Sequence, residues 1–225
     1  MISTLKPMTR KLTNTVVAVA ALALLAPLGV NAQEVSGNAG WVSNYYYRGI
    51  PQSVSSASAG LDAGVGALSV GTWIADVGDG AEVDLYGSVG TDVGEGSVSV
   101  GGSAYLYTGG FDDTYLEANF GAGYGPLSLE YSIGQYGNFG AGTQDYTFVG
   151  VTAEHEGLSA TFGTFGNDFT GNYTEIGYGF STSDFDFSIS GILSDENLSF
   201  QNDENGAPTS ELTMVFGISK SFSIK

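Results

Sequence analysis

The sequence contains no cysteine in its 225 residues. Without disulfide bonds, an exported chain of this length must draw its stability from backbone hydrogen bonds and side-chain packing alone. Basic residues are also scarce, with six lysines and arginines against 24 acidic residues. Because proteins bind nucleic acids through clusters of lysine and arginine, this composition argues against a nucleic-acid partner.

Charge of either sign is sparse, since Asp, Glu, Lys and Arg make up only 13% of the chain, where soluble domains average about a quarter. Glycine, in contrast, supplies 35 residues, and phenylalanine and tyrosine supply 13 each. With only five prolines and no three-residue period, the glycines do not indicate collagen, and the aromatic residues argue against disorder.

The only long apolar run lies at the N-terminus, at Thr15–Val30, after the basic residues Lys6, Arg10 and Lys11. It is shorter than the roughly 20 residues that a membrane-spanning helix needs. Small residues at Val30 and Ala32 provide a cleavage site. We therefore predict a secretory signal peptide at residues 1–32 and a single domain at residues 33–225.

In the predicted domain the dominant sequence period is two residues. Along Ala81–Val89 the odd positions are apolar or glycine, and the even positions are polar or tyrosine. Successive side chains of a strand point to opposite faces, so one face is apolar and the other polar. The same alternation predicts 12 strands, near residues 35–47, 55–65, 68–76, 81–89, 97–108, 114–124, 127–134, 145–155, 158–166, 173–182, 185–193 and 211–224.

The predicted connections alternate strictly between short and long. Short turns are expected at residues 66–67, 92–96, 125–126, 156–157 and 183–184, and long loops at residues 47–54, 76–80, 109–113, 138–144, 166–172 and 195–210. Outer-membrane barrels have short periplasmic turns, longer outer loops and an even strand count. We therefore predict an all-β fold, an antiparallel up-and-down transmembrane β-barrel of 12 strands.

A soluble β-sandwich or jelly roll is the alternative, because its strands also alternate. Two features favour the barrel. The polar face consists mostly of serine, glycine, threonine and single acidic residues with almost no lysine, and aromatic residues lie near the strand ends, as in interfacial girdles.

Three consecutive tyrosines, Tyr45, Tyr46 and Tyr47, end the first predicted strand beside Arg48. Tyrosine can place its ring at the headgroup level of a membrane and its hydroxyl in water, so we expect these residues at the outer rim. Arg48 is expected in the first outer loop, near anionic lipid or over the pore mouth. Pairing of Arg48 with a nearby carboxylate is the alternative.

Eight carboxylates fall on the polar side of their predicted strands and are predicted to line a pore: Asp62, Glu82, Asp84, Glu117, Glu130, Glu154, Glu175 and Asp186. Carboxylates in a confined lumen repel anions and concentrate cations. The alternative is that some of them lie at strand ends in bulk water, or are protonated in a plugged interior.

No catalytic residue, cofactor or metal site is predicted. His155 is the single histidine, and it falls at a predicted periplasmic turn between two glutamates. An outer-membrane phospholipase would need its serine and histidine near the outer leaflet, at the opposite end. Acidic loops such as Asp76–Gly80 and Asn202–Gly206 lack the spacing of a calcium loop.

Three short motifs carry a resemblance to a known family: Ser43–Ile50 (SNYYYRGI), Gly71–Trp73 (GTW) and Gly217–Phe222 (GISKSF). With these motifs the chain resembles the TorF-type porins, a proteobacterial family of poorly known function. The resemblance implies an outer-membrane barrel of porin type and supplies no substrate. The chain departs from the usual aromatic C-terminus, because Phe222 is followed by Ser223-Ile224-Lys225.

The sequence thus predicts an outer-membrane channel for passive diffusion of small hydrophilic solutes, with a preference for cations. The alternatives are a structural or adhesive barrel without a conducting pore, and an outer-membrane enzyme that acts on lipids. Expected partners are outer-membrane lipids, small solutes or cations and, during biogenesis, the barrel-assembly machinery. The sequence leaves the oligomeric state open.

Overall fold

The alternating residues form long strands in the computed structural model, which describes residues 34–224. The strands are β1 (Glu34–Tyr47), β2 (Ile50–Val65), β3 (Leu68–Asp76), β4 (Ala81–Val93), β5 (Gly96–Tyr107), β6 (Tyr115–Tyr124), β7 (Leu127–Tyr136), β8 (Gln144–His155), β9 (Leu158–Asn167), β10 (Asn172–Thr182), β11 (Phe185–Ser194), β12 (Gln201–Asn202), β13 (Pro208–Thr209) and β14 (Glu211–Ile224). A single 3₁₀ turn (Asn138–Gly140) is the one helical element of the described residues.

Twelve of these strands, β1 to β11 and β14, close into one antiparallel barrel. Each pairs with its neighbours in the sequence, and β1 closes the barrel against β14 from Val35 opposite Ile224 to Val42 opposite Gly217. The small strands β12 and β13 pair only with each other. The predicted all-β class and the predicted 12 barrel strands are confirmed, whereas the predicted signal peptide lies outside the described residues.

The five connections at one end of the barrel are two-residue turns, at residues 66–67, 94–95, 125–126, 156–157 and 183–184. We call this the short-turn end. Five longer connections lie at the opposite, long-loop end, at residues 77–80, 108–114, 137–143, 168–171 and 195–210. Within residues 34–224 no helix is long and apolar enough to cross a membrane.

The first connection corrects the prediction of strict alternation, because it lies at the long-loop end and is short. Residues 47–54 were predicted as a loop, but β2 begins at Ile50 and only Arg48 and Gly49 connect the strands. Both have positive φ, 49° and 79°. Two left-handed residues form the tight turn whose twist suits an antiparallel hairpin, so the strands continue to its tip.

The outer face of the barrel is apolar. Side chains such as Leu129, Phe162 and Phe216 are about half exposed although they lie in the middle of paired strands. Tyr124 and Phe185 lie on this face near the short-turn end. A continuous exposed apolar surface of this kind requires an apolar environment, which is what the hydrocarbon of a membrane provides.

Arginine at Ile189 is expected to lower the free energy of unfolding by about 2–4 kcal/mol, because Ile189 lies on the apolar face midway along β11. Arginine at the adjacent Ser188, which points inward opposite Gly217, is expected to lower the free energy of unfolding much less. Chemical unfolding of both variants in lipid vesicles measures the difference. Equal losses at the two positions would contradict the assignment of the faces.

Candidate functional site

The first hairpin leaves the barrel wall before its strands end. Strand β1 pairs with β14 only as far as Val42, and β2 pairs with β3 only from Ser58. Residues 43–56 between them pair with each other, with a register shift between Tyr45 and Tyr46 and a positive φ of 63° at Ser55. These irregularities bend the segment away from its neighbours. We call residues 43–56 the inward hairpin.

The three tyrosines of the inward hairpin bond to side chains of the barrel interior. Tyr45 donates its hydroxyl to Glu82 at 2.8 Å, and Tyr47 donates to the Tyr105 hydroxyl at 2.6 Å. The Tyr46 hydroxyl lies 2.8 Å from Thr213 Oγ1. These contacts differ from the position expected at a lipid headgroup, because the bend turns the strand ends into the lumen.

Arg48 is the clearest departure from its predicted place in a solvated outer loop. Its Nη1 lies 2.5 Å from Glu117 Oε1, and its Nη2 bonds to Glu130 and to Ser132. The side chains of Arg48 and Glu117 are 7% and 0% exposed. The alternative left open by the sequence, a pairing with carboxylates, is therefore the arrangement found, and its partners come from strands across the lumen.

Aromatic rings enclose the Arg48 guanidinium from two sides. Its central carbon lies 4.9 Å from the centroid of the Tyr47 ring and 4.2 Å from that of Phe148. Cation–π contacts of this kind strengthen when water is excluded. With rings on its faces and carboxylates at its edge, the guanidinium is fixed inside the barrel.

Gly49 brings the tip of the hairpin against the far wall. Its carbonyl accepts a bond from Ser194 Oγ at 2.5 Å. A Cβ on Gly49 would lie 2.5 Å from Cβ of Tyr173, and its φ of 79° disfavours side chains as well. Glycine is therefore required both for the turn and for the close approach.

An apolar cluster fills one side of the lumen at the long-loop end. Its buried members are Phe148, Tyr173, Ile192, Leu198 and Val215, and Val42, Tyr46, Ile50 and Phe165 pack against it. The inward hairpin contributes two of these residues. The cluster anchors the hairpin to strands β8 to β11 and β14 and to the last long loop.

The eight predicted carboxylates all lie on the inner face. Cross-strand partners share a face, and so do residues two positions apart on one strand. Asp84, for example, lies opposite Tyr105, which lies opposite Tyr115, and Glu117 is on the same face of β6 as Tyr115. Their surroundings differ. Glu82, Asp84 and Glu117 are buried near the inward hairpin, Asp62, Glu130 and Glu175 are partly exposed, and Glu154 and Asp186 are exposed towards the short-turn end.

Bonds from neutral donors hold several of the inner carboxylates. Asp62 accepts the Tyr86 hydroxyl at 2.7 Å. Glu117 accepts Tyr146 at 2.7 Å and the amide of Asn119 at 2.7 Å in addition to Arg48. A carboxylate with several donors is oriented and stabilised in its ionised form.

The inner wall carries different side chains at its two ends. Towards the short-turn end it carries mainly serine, threonine and glycine, such as Ser99, Gly121 and Thr152. Towards the long-loop end it carries aromatic rings that lie over glycines of the neighbouring strand. A Cβ on Gly134 would meet Tyr146 at 2.1 Å, and one on Gly163 would meet Tyr173 at 2.3 Å. Small side chains therefore line the lumen towards the short-turn end, whereas aromatic rings and the inward hairpin occupy it towards the long-loop end.

A pocket of about 640 Å³ lies between the inward hairpin and the long loops. We call it the outer pocket. Most of its lining is aromatic: Tyr47, Tyr105, Tyr107, Phe111, Tyr115, Tyr146, Phe165, Phe169 and Phe200. Arg48 and Asp112 are the charged residues of its lining. Sequence reasoning missed it, although aromatic residues inside the long loops, such as Phe111 and Phe169, were a usable signal.

The remaining candidates are solvated. The side chain of His155 is 81% exposed and lies 4.0 Å from that of Glu156, at the short-turn end. In the last long loop, the backbone N–H groups of Ala207 and Asn205 bond to Asp203 and lower the pKa of this exposed carboxyl. This cap stabilises the turn between β12 and β13.

Comparison with known proteins gives structural likeness only. The chain matches no protein-family model and no curated protein sequence. It is similar to a membrane protein whose structure was solved in work on in-meso crystallization, with a TM-score of 0.58 and 7% identity over 85% of this chain and 84% of the other.

Two porins resemble the chain more loosely. OccK2 (OpdF) of Pseudomonas aeruginosa, solved with glucuronate, has a TM-score of 0.43 and 11% identity over 87% of this chain and 68% of its own. A BenF-like porin from Pseudomonas fluorescens Pf-5 has a TM-score of 0.41 and 9% identity over 82% and 58%. At 7% identity the in-meso likeness shows a shared fold and nothing more.

Proposed function

We propose that the protein is an outer-membrane channel through which small hydrophilic solutes diffuse, with a preference for cations. The observation that carries the proposal is the closed barrel with an apolar outer face and a polar inner face that bears eight carboxylates. The TorF-type family is proposed on the motifs alone. Two of these motifs meet at the inward hairpin, where the rings of Tyr45 and Trp73 are 5.5 Å apart.

The charge of the inner face supports the cation preference. Arg48 is the one basic side chain on the inner face of the described residues, and Glu117 and Glu130 already pair with it. The second described cation, Lys220, lies on the outer face, 3.6 Å from Asp184. The carboxylates nearer the short-turn end therefore act on passing ions without a compensating positive charge.

The inward hairpin sets the narrowest level of the proposed channel. It reaches from β1 and β2 to Glu117 on β6 and Ser194 on β11, so solutes pass beside it rather than through an open cylinder. Such a channel is selective for size. The same contacts favour the second candidate function, a structural barrel that does not conduct, if the hairpin leaves no continuous path.

Conductance in planar bilayers tests the proposal. We expect discrete openings and, under a salt gradient, a reversal potential that indicates cation preference and declines as salt screens the carboxylates. Changing Asp62, Glu154 and Glu175 to their amides is expected to shift the reversal potential towards zero. These residues are chosen because Arg48 does not depend on them, whereas the buried Glu117 cannot be neutralised without disturbing its partner.

Glu156→Gln serves as the matched control, because its exposed carboxylate lies in a turn outside the lumen. It should leave the reversal potential unchanged. An anion-selective channel, or a triple variant that retains full selectivity, would contradict the role of the carboxylates. A bilayer that stays silent with correctly folded protein would establish the non-conducting barrel instead.

A further inference from the structure

The outer pocket offers ring faces to a ligand, while the polar ends of the rings point to carboxylates. Tyr115 and Tyr136 both donate to Asp112, at 2.8 Å and 2.7 Å. Tyr146 donates to Glu117 at 2.7 Å, and Tyr47 reaches Glu117 through Tyr105. A phenol that donates to a carboxylate gains electron density in its ring, which increases the attraction of the ring face for a cation.

The rings combine stacked pairs with edge-to-face contacts, so that their planes differ in direction around the outer pocket. Phe169 is parallel to Tyr146, at 4.7 Å between centroids, and edge-on to Tyr115 at 6.4 Å. Tyr107 and Tyr115 are also nearly perpendicular, at 6.1 Å. Rings at right angles around a volume of about 640 Å³ surround a small ligand on several sides.

The formal charges around the outer pocket favour a positive ligand. Three carboxylates, Asp112, Glu117 and Glu130, stand against the single guanidinium of Arg48. The terminal nitrogens of Arg48 already bond to Glu117, Glu130 and Ser132, and rings cover its faces. An anionic ligand would have to displace these bonds and approach Asp112.

From this geometry we propose that the outer pocket binds a small organic cation with an apolar body, of the quaternary ammonium or alkylated amine class. The rings supply the faces that recognise the charge, and Asp112 supplies a carboxylate in the lining that has no cationic partner among the described residues. The inference deepens the proposed function by naming a substrate class for the channel mouth. Binding itself does not require conduction, so the two proposals can be tested apart.

Calorimetric titration of the full-length mature protein in detergent provides the test. The probes are choline, its uncharged isostere 3,3-dimethylbutan-1-ol, and benzoate. We expect choline to bind roughly tenfold more tightly than the isostere, the factor that cation–π contacts supply, and benzoate not to bind. Equal binding of choline and the isostere, preferred binding of benzoate, or no binding of any probe would each overturn the proposal.

Variants locate the site. Phe169→Ala removes an aromatic ring of the pocket lining that is carried by a loop, and it is expected to weaken the binding of choline roughly tenfold. Phe162→Ala, in the same region but on the outer face, should leave the affinity unchanged. Asp112→Asn should weaken the binding of choline and leave the affinity for the uncharged isostere unchanged. If Phe162→Ala weakens choline as much as Phe169→Ala does, the site is elsewhere and the proposal fails.

Conductance separates this inference from the proposed function. Choline binding to a barrel that is silent in bilayers would uphold the outer pocket and reject the channel. A conducting barrel that binds none of the probes would uphold the channel and reject the pocket.

Discussion

Arg48→Met is expected to lower the free energy of unfolding by about 3–5 kcal/mol, the range for removal of one partner from a buried ion pair. Methionine fills the space between the rings of Tyr47 and Phe148, so packing is largely kept. Glu117, however, is left fully buried without its cation. Denaturant unfolding in vesicles, followed by tyrosine and tryptophan fluorescence, measures the loss.

A double-mutant cycle assigns the loss to the pair. Glu117→Gln keeps the shape of the side chain and leaves one acceptor oxygen for its donors Tyr146 and Asn119. The double variant with Arg48→Met should therefore be more stable than Arg48→Met alone, because no charge remains buried. If the loss of stability in the double variant, measured from the unchanged protein, equals the sum of the two single losses, the two residues are not coupled and the arrangement described for Arg48 is wrong.

Removal of the inward hairpin is expected to raise the conductance several-fold, because the hairpin occupies the narrowest level of the lumen. Residues 45–53 would be replaced by Asn-Gly, which closes a two-residue turn between Asn44 and Val54. The variant also carries Glu117→Gln, so that loss of Arg48 does not leave a buried charge. Single-channel recordings in planar bilayers measure the change.

Glu117→Gln in the full-length chain is the reference for this variant, and the increase in conductance on removal of the hairpin is measured against it. Solutes that are excluded by the unchanged channel should pass the shortened one in a liposome swelling measurement. An unchanged conductance after removal would show that the hairpin does not limit permeation, and that the pathway avoids it.

The barrel was predictable because its strands meet a simple two-sided environment. In β4 the acids Glu82 and Asp84 alternate with Val83 and Leu85, and this period of two survives from the first strand to the last. The turns of the short-turn end were predictable for a related reason, since a glycine or another residue with positive φ occupies each of them, as at Gly66 and Gly125. Local chemistry decides both features.

The inward hairpin was not predictable from the same pattern. Tyrosine near a strand end is compatible with a headgroup region and equally with a lumen, because both offer apolar surface beside hydrogen-bond acceptors. The bend between Tyr45 and Tyr46 that decides between them leaves no mark in composition. The partners of Arg48 are 69 and 82 residues away in the chain, so no local reading could select them.

The inward hairpin also bears on how the barrel is assembled. It joins β1 to β2, and β1 meets β14 at the seam. The bond between Tyr46 and Thr213, and the bond that Ser194 donates to the Gly49 carbonyl, connect the first strands to the last ones. Contacts between chain ends form late, because they close the longest loops. We therefore expect the hairpin to enter the lumen and the seam to close together and late, with the hairpin bonds bridging the seam.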